Sequence, residues 1–150
     1  LRLRGFGCAD VAWWVKSMMR AAIILTLLAT PVAADTEYPP LDVLLSTGES
    51  IIGQTIDYPA GPAKMTSAIV TMQPGQQTGW HTHEVPLFAY VIEGEITVDY
   101  GPDGTKTYLA GDSLIEAYKT RHNGTNTGSG IVRILAVFAG AEGIPNTVSE

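Results

Sequence analysis

The sequence predicts an all-β sandwich or closed barrel. From residue 35 onward the chain breaks into many short segments of strand character, separated by turns rich in glycine and proline. No stretch of this part shows the hydrophobic periodicity of an amphipathic helix over a useful length. The 150 residues, 45% of them hydrophobic and 16% charged, are typical of one globular domain. We therefore expect a single β domain over residues 35–150.

The N-terminal segment, residues 1–34, has the parts of a secretory signal. Arg20 precedes a short apolar run at residues 21–29, and small residues lead up to Asp35. The apolar run is shorter than the roughly 20 residues that a membrane-spanning helix needs. We therefore expect cleavage between Ala34 and Asp35, a periplasmic or secreted location, and no stable membrane insertion after cleavage.

The single cysteine and the acidic charge limit the partners of the chain. Residues 1–17 precede Met18 and are interpreted as an upstream extension from a misplaced start codon, and Cys8 lies within them. The mature domain would then have no thiol for a disulfide or a metal. The formal net charge of −6 argues against nucleic acid as a partner, because a phosphate backbone attracts basic patches.

The first half of the domain predicts strands joined by tight turns. Residues 50–56 mix β-branched side chains with Gly53, and residues 65–72 alternate and are rich in β-formers. Pro74 and Gly75 then form a turn signal. Residues 87–92 are a dense apolar run, which predicts a strand that is covered on both faces.

The second half predicts a hairpin and two further strands. Residues 95–100 alternate between apolar and polar side chains, as expected of a half-buried strand. Residues 101–104 read Gly-Pro-Asp-Gly, which is a hairpin signal, and residues 123–130 are a polar segment that predicts a loop. The remaining strands are predicted at residues 105–109, 113–118 and 131–139.

All three histidines of the chain fall in two short stretches. His81 and His83 are two residues apart, and this spacing points both rings to one face of a strand. His122 can add a third imidazole from a separate segment. Three neutral nitrogen donors hold a divalent transition metal and leave coordination positions open. The histidines therefore predict a site for Fe, Mn, Zn, Cu or Ni.

These two stretches resemble the two sequence motifs of the cupin family. The first motif is Gly, five residues, His-x-His, three or four residues, Glu, six residues, Gly. The second is Gly, five residues, Pro-x-Gly, two residues, His, three residues, Asn. The chain matches the first at Gly75, His81, His83 and Gly94, and the second at Gly111, His122 and Asn126. The resemblance implies a single jelly-roll β-barrel with one metal site inside, and it leads us to expect a homodimer formed through the outer sheet.

The chain departs from both motifs. Leu87 stands where the first motif has its acidic ligand, and Ala117 and Lys119 replace the Pro and Gly of the second. Three interpretations follow. The three histidines suffice for the metal, or Glu84 or Glu116 replaces the missing carboxylate, or the site is degenerate and binds no metal. We favour the first, because three protein ligands are the usual minimum for a catalytic site.

Glu116 and Tyr118 are the candidate catalytic residues. If their strand runs straight, both share a face with His122. An ionisable group that faces the metal would favour an enzyme over a binding module. Arg121 suits an anionic substrate by its charge, but its parity points it away from His122 and favours a surface role.

Three functions remain open from the sequence. The first is a metal-dependent oxidoreductase or isomerase acting on a small molecule. Three neutral ligands leave the site with a charge of about +2, which favours an anionic or chelating substrate. The second is a non-catalytic module that binds a small ligand, and the third is a structural barrel with a degenerate site.

Overall fold

The structure, a computed structural model, describes residues 40–150. The predicted signal segment, its cleavage site and the upstream extension lie outside the described residues. Within residues 40–150, the structure contains no helix long and apolar enough to cross a membrane.

The described part of the chain forms nine strands and one turn of 3-10 helix at Gly101–Asp103. The strands are β1 Ala63–Met72, β2 His81–Thr82, β3 Leu87–Glu93, β4 Glu95–Asp99, β5 Thr105–Leu109, β6 Ser113–Ile115, β7 Asn123–Thr125, β8 Val132–Ala141 and β9 Val148–Ser149. They form antiparallel sheets in the orders β1-β8-β3-β6, β5-β4-β7 and β2-β9. The prediction of an all-β jelly-roll is confirmed.

One face of the larger sheet points into the core. The alternation of buried and partly exposed residues along much of β3 and β8 shows this. Their register pairs Leu87 with Phe138, Ala89 with Ala136, and Val91 with Ile134. The smaller sheet contributes Ile96 and Val98 to the same core. The core therefore lies between the two sheets, inside the barrel.

Gly94 joins β3 to β4 and has a backbone that only glycine fits. Its φ is +82°, and a Cβ there would lie 2.9 Å from the Cα of Val132 and still closer to the carbonyl oxygen of Ile131. The tight turn at Gly94 thus packs directly against the start of β8.

Three of the predicted segments differ in the structure. Residues 50–56 form only an isolated bridge between Glu49 and Thr55, with a turn at Gly53. The strand predicted at residues 113–118 ends at Ile115. The loop predicted at residues 123–130 begins with β7, because its backbone pairs with β4 despite poor strand formers such as Gly124.

Candidate metal centre

Backbone pairing brings two of the histidines directly opposite each other. The N–H of His81 donates to the carbonyl of His122 at 3.1 Å, and the N–H of His122 donates to that of His81 at 3.0 Å. Two such reciprocal hydrogen bonds define a hydrogen-bonded antiparallel pair, in which the two side chains lie on the same face. The two motifs therefore meet through a direct pairing of their backbones.

The three imidazoles form a nearly equilateral cluster. The ring centroids are 4.4 Å apart for His81 and His122, 4.9 Å for His81 and His83, and 5.0 Å for His83 and His122. One nitrogen from each ring lies within 4.8 Å of the others. This separation lets a single ion contact all three after small side-chain adjustments.

The Nδ1 atom of every histidine is already hydrogen-bonded. The acceptors are the carbonyl oxygens of Gly79 for His81 at 2.8 Å, Asn146 for His83 at 3.1 Å, and Thr120 for His122 at 2.9 Å. A carbonyl accepts only from N–H, so each neutral ring carries its proton on Nδ1. The lone pair of each Nε2 is therefore free for a metal, and the carbonyls fix the orientation of the rings.

Burial keeps the three rings neutral. It lowers the pKa of His81 and of His122, and it lowers the pKa of His83 to about 3, with the two neighbouring histidines adding to that effect. His122 is 2% exposed, and its Nε2 is the one buried side-chain nitrogen or oxygen without a partner in residues 40–150. A buried acceptor without a partner is costly, and a metal ion would satisfy it. The donor set fits a divalent transition metal.

The histidines line a cavity inside the barrel with a volume of about 190 Å³. Most of its wall is apolar and comes from both sheets, including Leu87, Val91, Ile96 and Ile134. Among the described residues, no lysine or arginine lines it. The cavity therefore combines one nitrogen-rich patch with a wall suited to an apolar ligand.

Glu116 is the carboxyl group of this cavity. It follows the end of β6, is 7% exposed, and accepts a hydrogen bond from the backbone N–H of Ala117 at 2.7 Å. Burial raises the pKa of Glu116, and the Ala117 N–H and the Tyr100 hydroxyl oppose this rise. A buried carboxyl beside a metal site is suited to take up and release a proton.

Two tyrosines extend the polar part of the site. The hydroxyls of Tyr100 and Tyr108 are 3.0 Å apart, and Tyr108 lines the cavity. Burial raises the pKa of both hydroxyls, so they remain protonated donors. The Tyr100 ring also lies 6.0 Å from the ring of His122. Sequence reasoning missed this pair, although Tyr100 falls on the inward face of the alternating segment 95–100.

Comparison with known proteins agrees with this architecture. A family model described as "Cupin domain" matches residues 68–138. Residues 68–138 belong to the cupin family. The matched range contains all three histidines and Glu116, so the candidate metal centre lies wholly within the cupin domain.

Solved structures similar to the cupin domain include two oxalate decarboxylases. The enzyme from Lactobacillus farciminis, in complex with formate, is 26% identical with a TM-score of 0.50, and the match covers 57% of this chain and 26% of that chain. A mutant of the Bacillus subtilis enzyme is 28% identical with a TM-score of 0.49, over 57% of this chain and 23% of that chain. The cupin domain thus corresponds to about a quarter of those proteins. The chain has no match among curated proteins.

The structure does not bring Tyr118 into the histidine cavity. Its hydroxyl donates to the backbone carbonyl of Thr55, and its ring lines a separate surface pocket. The parity argument is wrong because β6 ends at Ile115 and Lys119 adopts a φ of +53°, which turns the chain before His122. Tyr118 is therefore a packing residue in this structure.

The two alternative acidic ligands, Glu84 and Glu116, line different pockets. Glu84 lies on the same surface pocket as Tyr118, and the Thr82 hydroxyl donates to its Oε1 at 3.2 Å. Glu116 lines the histidine cavity, as does Leu87 at the position of the motif's acid. Of these two carboxylates, only Glu116 shares a cavity with the histidines.

Two other residues that the sequence singled out, Asn126 and Arg121, have structural roles. Asn126 is 1% exposed, and its amide donates to the carbonyls of Met72 and Gly130, both at 2.9 Å. Arg121 forms an ion pair of 2.8 Å with Glu150 on the surface and lies over the ring of Trp80. The structure therefore places Arg121 at the surface, as its parity with respect to His122 predicted.

Proposed function

We propose that the cupin domain binds one divalent transition metal through the Nε2 atoms of His81, His83 and His122. One observation carries the proposal: three buried neutral imidazoles each have Nδ1 bonded to a carbonyl, and the Nε2 of His122 has no other partner. Imidazole nitrogens suit Fe, Mn, Zn, Cu and Ni, so the donor chemistry favours this group of metals.

The protein residues define what such a centre can do. When bound, the metal supplies Lewis acidity and coordination positions that remain open to a small molecule. Because Leu87 adds no charge, the three-histidine set is neutral, and it favours a substrate with an anionic or chelating group. The carbonyls behind each ring hold the ligand geometry while substrates exchange.

Glu116 favours an enzyme over a binding module. Its carboxyl group lines the same cavity as the metal ligands, and its environment raises its pKa toward the range where a general acid-base works. A single carboxyl that removes a proton from one substrate atom and returns it to another is sufficient for an isomerisation. Oxidation of a small molecule by dioxygen is the second reaction class that the site suits.

Two further properties belong to this proposal, one supported by the sequence and one by the exposed surface. The charged, apolar and small-residue segments before Asp35 support a periplasmic or secreted location. The exposed outer face of β1, with Met65 and Ile69, supports a homodimer formed through the outer sheet. Neither property alters the metal chemistry.

Metal content of the full chain, purified without chelators, tests the proposal. We expect near-stoichiometric Fe, Mn, Zn, Cu or Ni by mass spectrometry, and loss of the metal in a His81→Ala/His122→Ala variant that keeps its β-sheet circular dichroism. Glu84→Gln is the matched control, because Glu84 adjoins His83 in sequence but lies outside the cavity, so its metal content stays unchanged. Metal-free wild type, or metal retained by the double variant, would overturn the proposal.

A further inference from the structure

A row of small side chains lies across the inner face of the larger sheet. Ala89 of β3 is the direct partner of Ala136 of β8, and both are buried and line the cavity. On one side of this pair stands the row of Leu87 and Phe138, and on the other the row of Val91 and Ile134. Because all three rows point inward, the alanines leave a hollow between two rows of larger residues.

This hollow lies close to the histidines. The ring of Phe138 is 5.4 Å from the ring of His83, and Ala136 is two residues further along the same strand. Two residues of a strand span about 7 Å. A molecule bound to the metal therefore reaches the alanine row once it extends past Phe138 by about the width of a ring.

The cavity volume agrees with a ligand that extends by about one ring beyond its metal-binding group. An engineered apolar cavity of about 150 Å³ binds benzene, and such cavities remain dry when they are lined by aliphatic side chains. This cavity has about 190 Å³, and the part of its wall away from the histidines and Glu116 is mostly aliphatic and comes from both sheets. It has room for an apolar group of ring size together with a small metal-binding group.

The charges of the wall disfavour a small dianion. The cavity contains the carboxyl group of Glu116 and, among the described residues, no lysine or arginine. The arginine nearest to a ligand histidine in sequence, Arg121, forms its ion pair with Glu150 at the surface. A second carboxylate placed inside would find no opposite charge, and the side-chain donors of the lining besides the histidines are the neutral hydroxyls of Thr78, Tyr108 and Thr147.

We propose that the natural ligand of this cupin domain carries one chelating or singly anionic group and an apolar body of about the size of a benzene ring. The body occupies the hollow at Ala89 and Ala136, and small dianions such as oxalate are poor ligands. The metal-binding half of this inference rests on the proposed function, whereas the apolar half rests on the cavity alone.

Two probes that offer a metal the same pair of neighbouring oxygens test the inference. Benzoylformate presents a carboxylate, a ketone and a phenyl ring, and oxalate presents two carboxylates. Calorimetric titration of the protein as purified is expected to give a dissociation constant at least about tenfold lower for benzoylformate, given the value of burying a ring. Equal or tighter binding of oxalate would overturn the inference and leave the metal site standing.

A matched pair of variants locates the apolar body. Ala136→Leu fills the hollow, and we expect it to weaken benzoylformate by roughly tenfold or more while the metal content is unchanged. Ala139→Leu makes the same change on the same strand, three residues on and facing outward, and is expected to have no effect. Equal effects of the two substitutions would contradict the assigned position.

The metal-free protein separates this inference from the proposed function. After treatment with chelator, toluene is expected to bind the wild type and raise its melting temperature, and to have no effect on Ala136→Leu. If the protein never carries metal, the proposed function fails while the toluene result still decides the apolar half. Absence of toluene binding to the folded, metal-free wild type would overturn the apolar half of the inference.

Discussion

At the scale of single residues, the site depends on which atom of each side chain is already in use. The Nδ1 of His83 has two acceptors from the C-terminal segment, the carbonyl of Asn146 and the hydroxyl of Thr147, both at 3.1 Å. These bonds leave Nε2 as the only free nitrogen of the ring. Glu116 is arranged differently: one oxygen accepts from the Ala117 N–H and the Tyr100 hydroxyl also acts on the carboxyl group, yet burial raises its pKa. The free Nε2 atoms of the histidines are what the proposed metal site requires, and the raised pKa of Glu116 is what the proposed proton transfer requires.

The raised pKa of Glu116 predicts a pH-dependent effect of Glu116→Gln on the metal-free protein. A carboxyl whose pKa is higher in the folded than in the unfolded state stabilises the fold below the ordinary value of 4.5, and this contribution is lost as pH rises through the folded pKa. Glutamine stays neutral throughout. The variant is therefore expected to be more stable than wild type at pH 8, by about 1.4 kcal/mol for each tenfold weakening of the acid.

Urea unfolding at pH 5, 7 and 8 in the presence of chelator measures this effect as the difference between the two chains. The histidines titrate in both chains, so their contribution cancels in the difference except for the part of the His81 titration that depends on the charge of Glu116. The advantage of Glu116→Gln should grow with pH. A difference that is constant, or that favours wild type at pH 8, would mean that Glu116 is not held in an environment that disfavours its charge.

At the scale of elements, the two motifs are brought together by backbone pairing. The bridges His81 to His122 and Gln77 to Thr125 join the segment before β3 to the segment that contains β7. Asn126 ties the end of this second segment to Met72 at the end of β1. The glycines of the motifs permit the turns between these elements, and Gly94 does so under the tightest contact.

Gly94→Ala is expected to destabilise the fold far more than Gly75→Ala. Both glycines have positive φ, +82° and +75°, so alanine suffers the left-handed penalty of about 1–2 kcal/mol at each. At Gly75 nothing lies within 4 Å of the new Cβ, whereas at Gly94 it meets the backbone of Ile131 and Val132. Backbone must then move, so we expect a loss several kcal/mol larger. Thermal melts of both variants measure it, and equal losses would show that the turn can shift away from β8.

At the scale of the whole molecule, the sequence predicted most of the fold and the three histidines. Alternation and turn residues indicated the strands from residue 65 onward, and the two motifs placed His81, His83 and His122 together. Those signals succeed because each is local and periodic. The same parity rule failed for Tyr118, because β6 ends at Ile115 and the left-handed backbone of Lys119 interrupts the segment before His122, so Tyr118 and His122 do not belong to one continuous strand.

The contacts that cross the chain could not be predicted in this way. The C-terminal segment holds the ring of His83 across 63 residues of sequence, and it has no pattern that marks this role. The Tyr100 and Tyr108 hydroxyls meet only because the β4–β5 hairpin folds both rings inward. Local patterns determine which face a residue occupies, whereas long-range pairing determines what it meets there.

Metal removal is expected to lower the free energy of unfolding of the whole domain, because one ion would join the segments of His81, His83 and His122. A ligand that binds only the folded state stabilises it by about 2.7 kcal/mol at 100 times its dissociation constant. For a domain of this size, that corresponds to a melting temperature roughly 10 °C higher. Calorimetry with the metal identified by mass spectrometry, before and after chelation, measures the difference. His81→Ala/His122→Ala should melt at the same temperature with and without metal. An equal shift in that variant would place the stabilising ion elsewhere than on the three histidines.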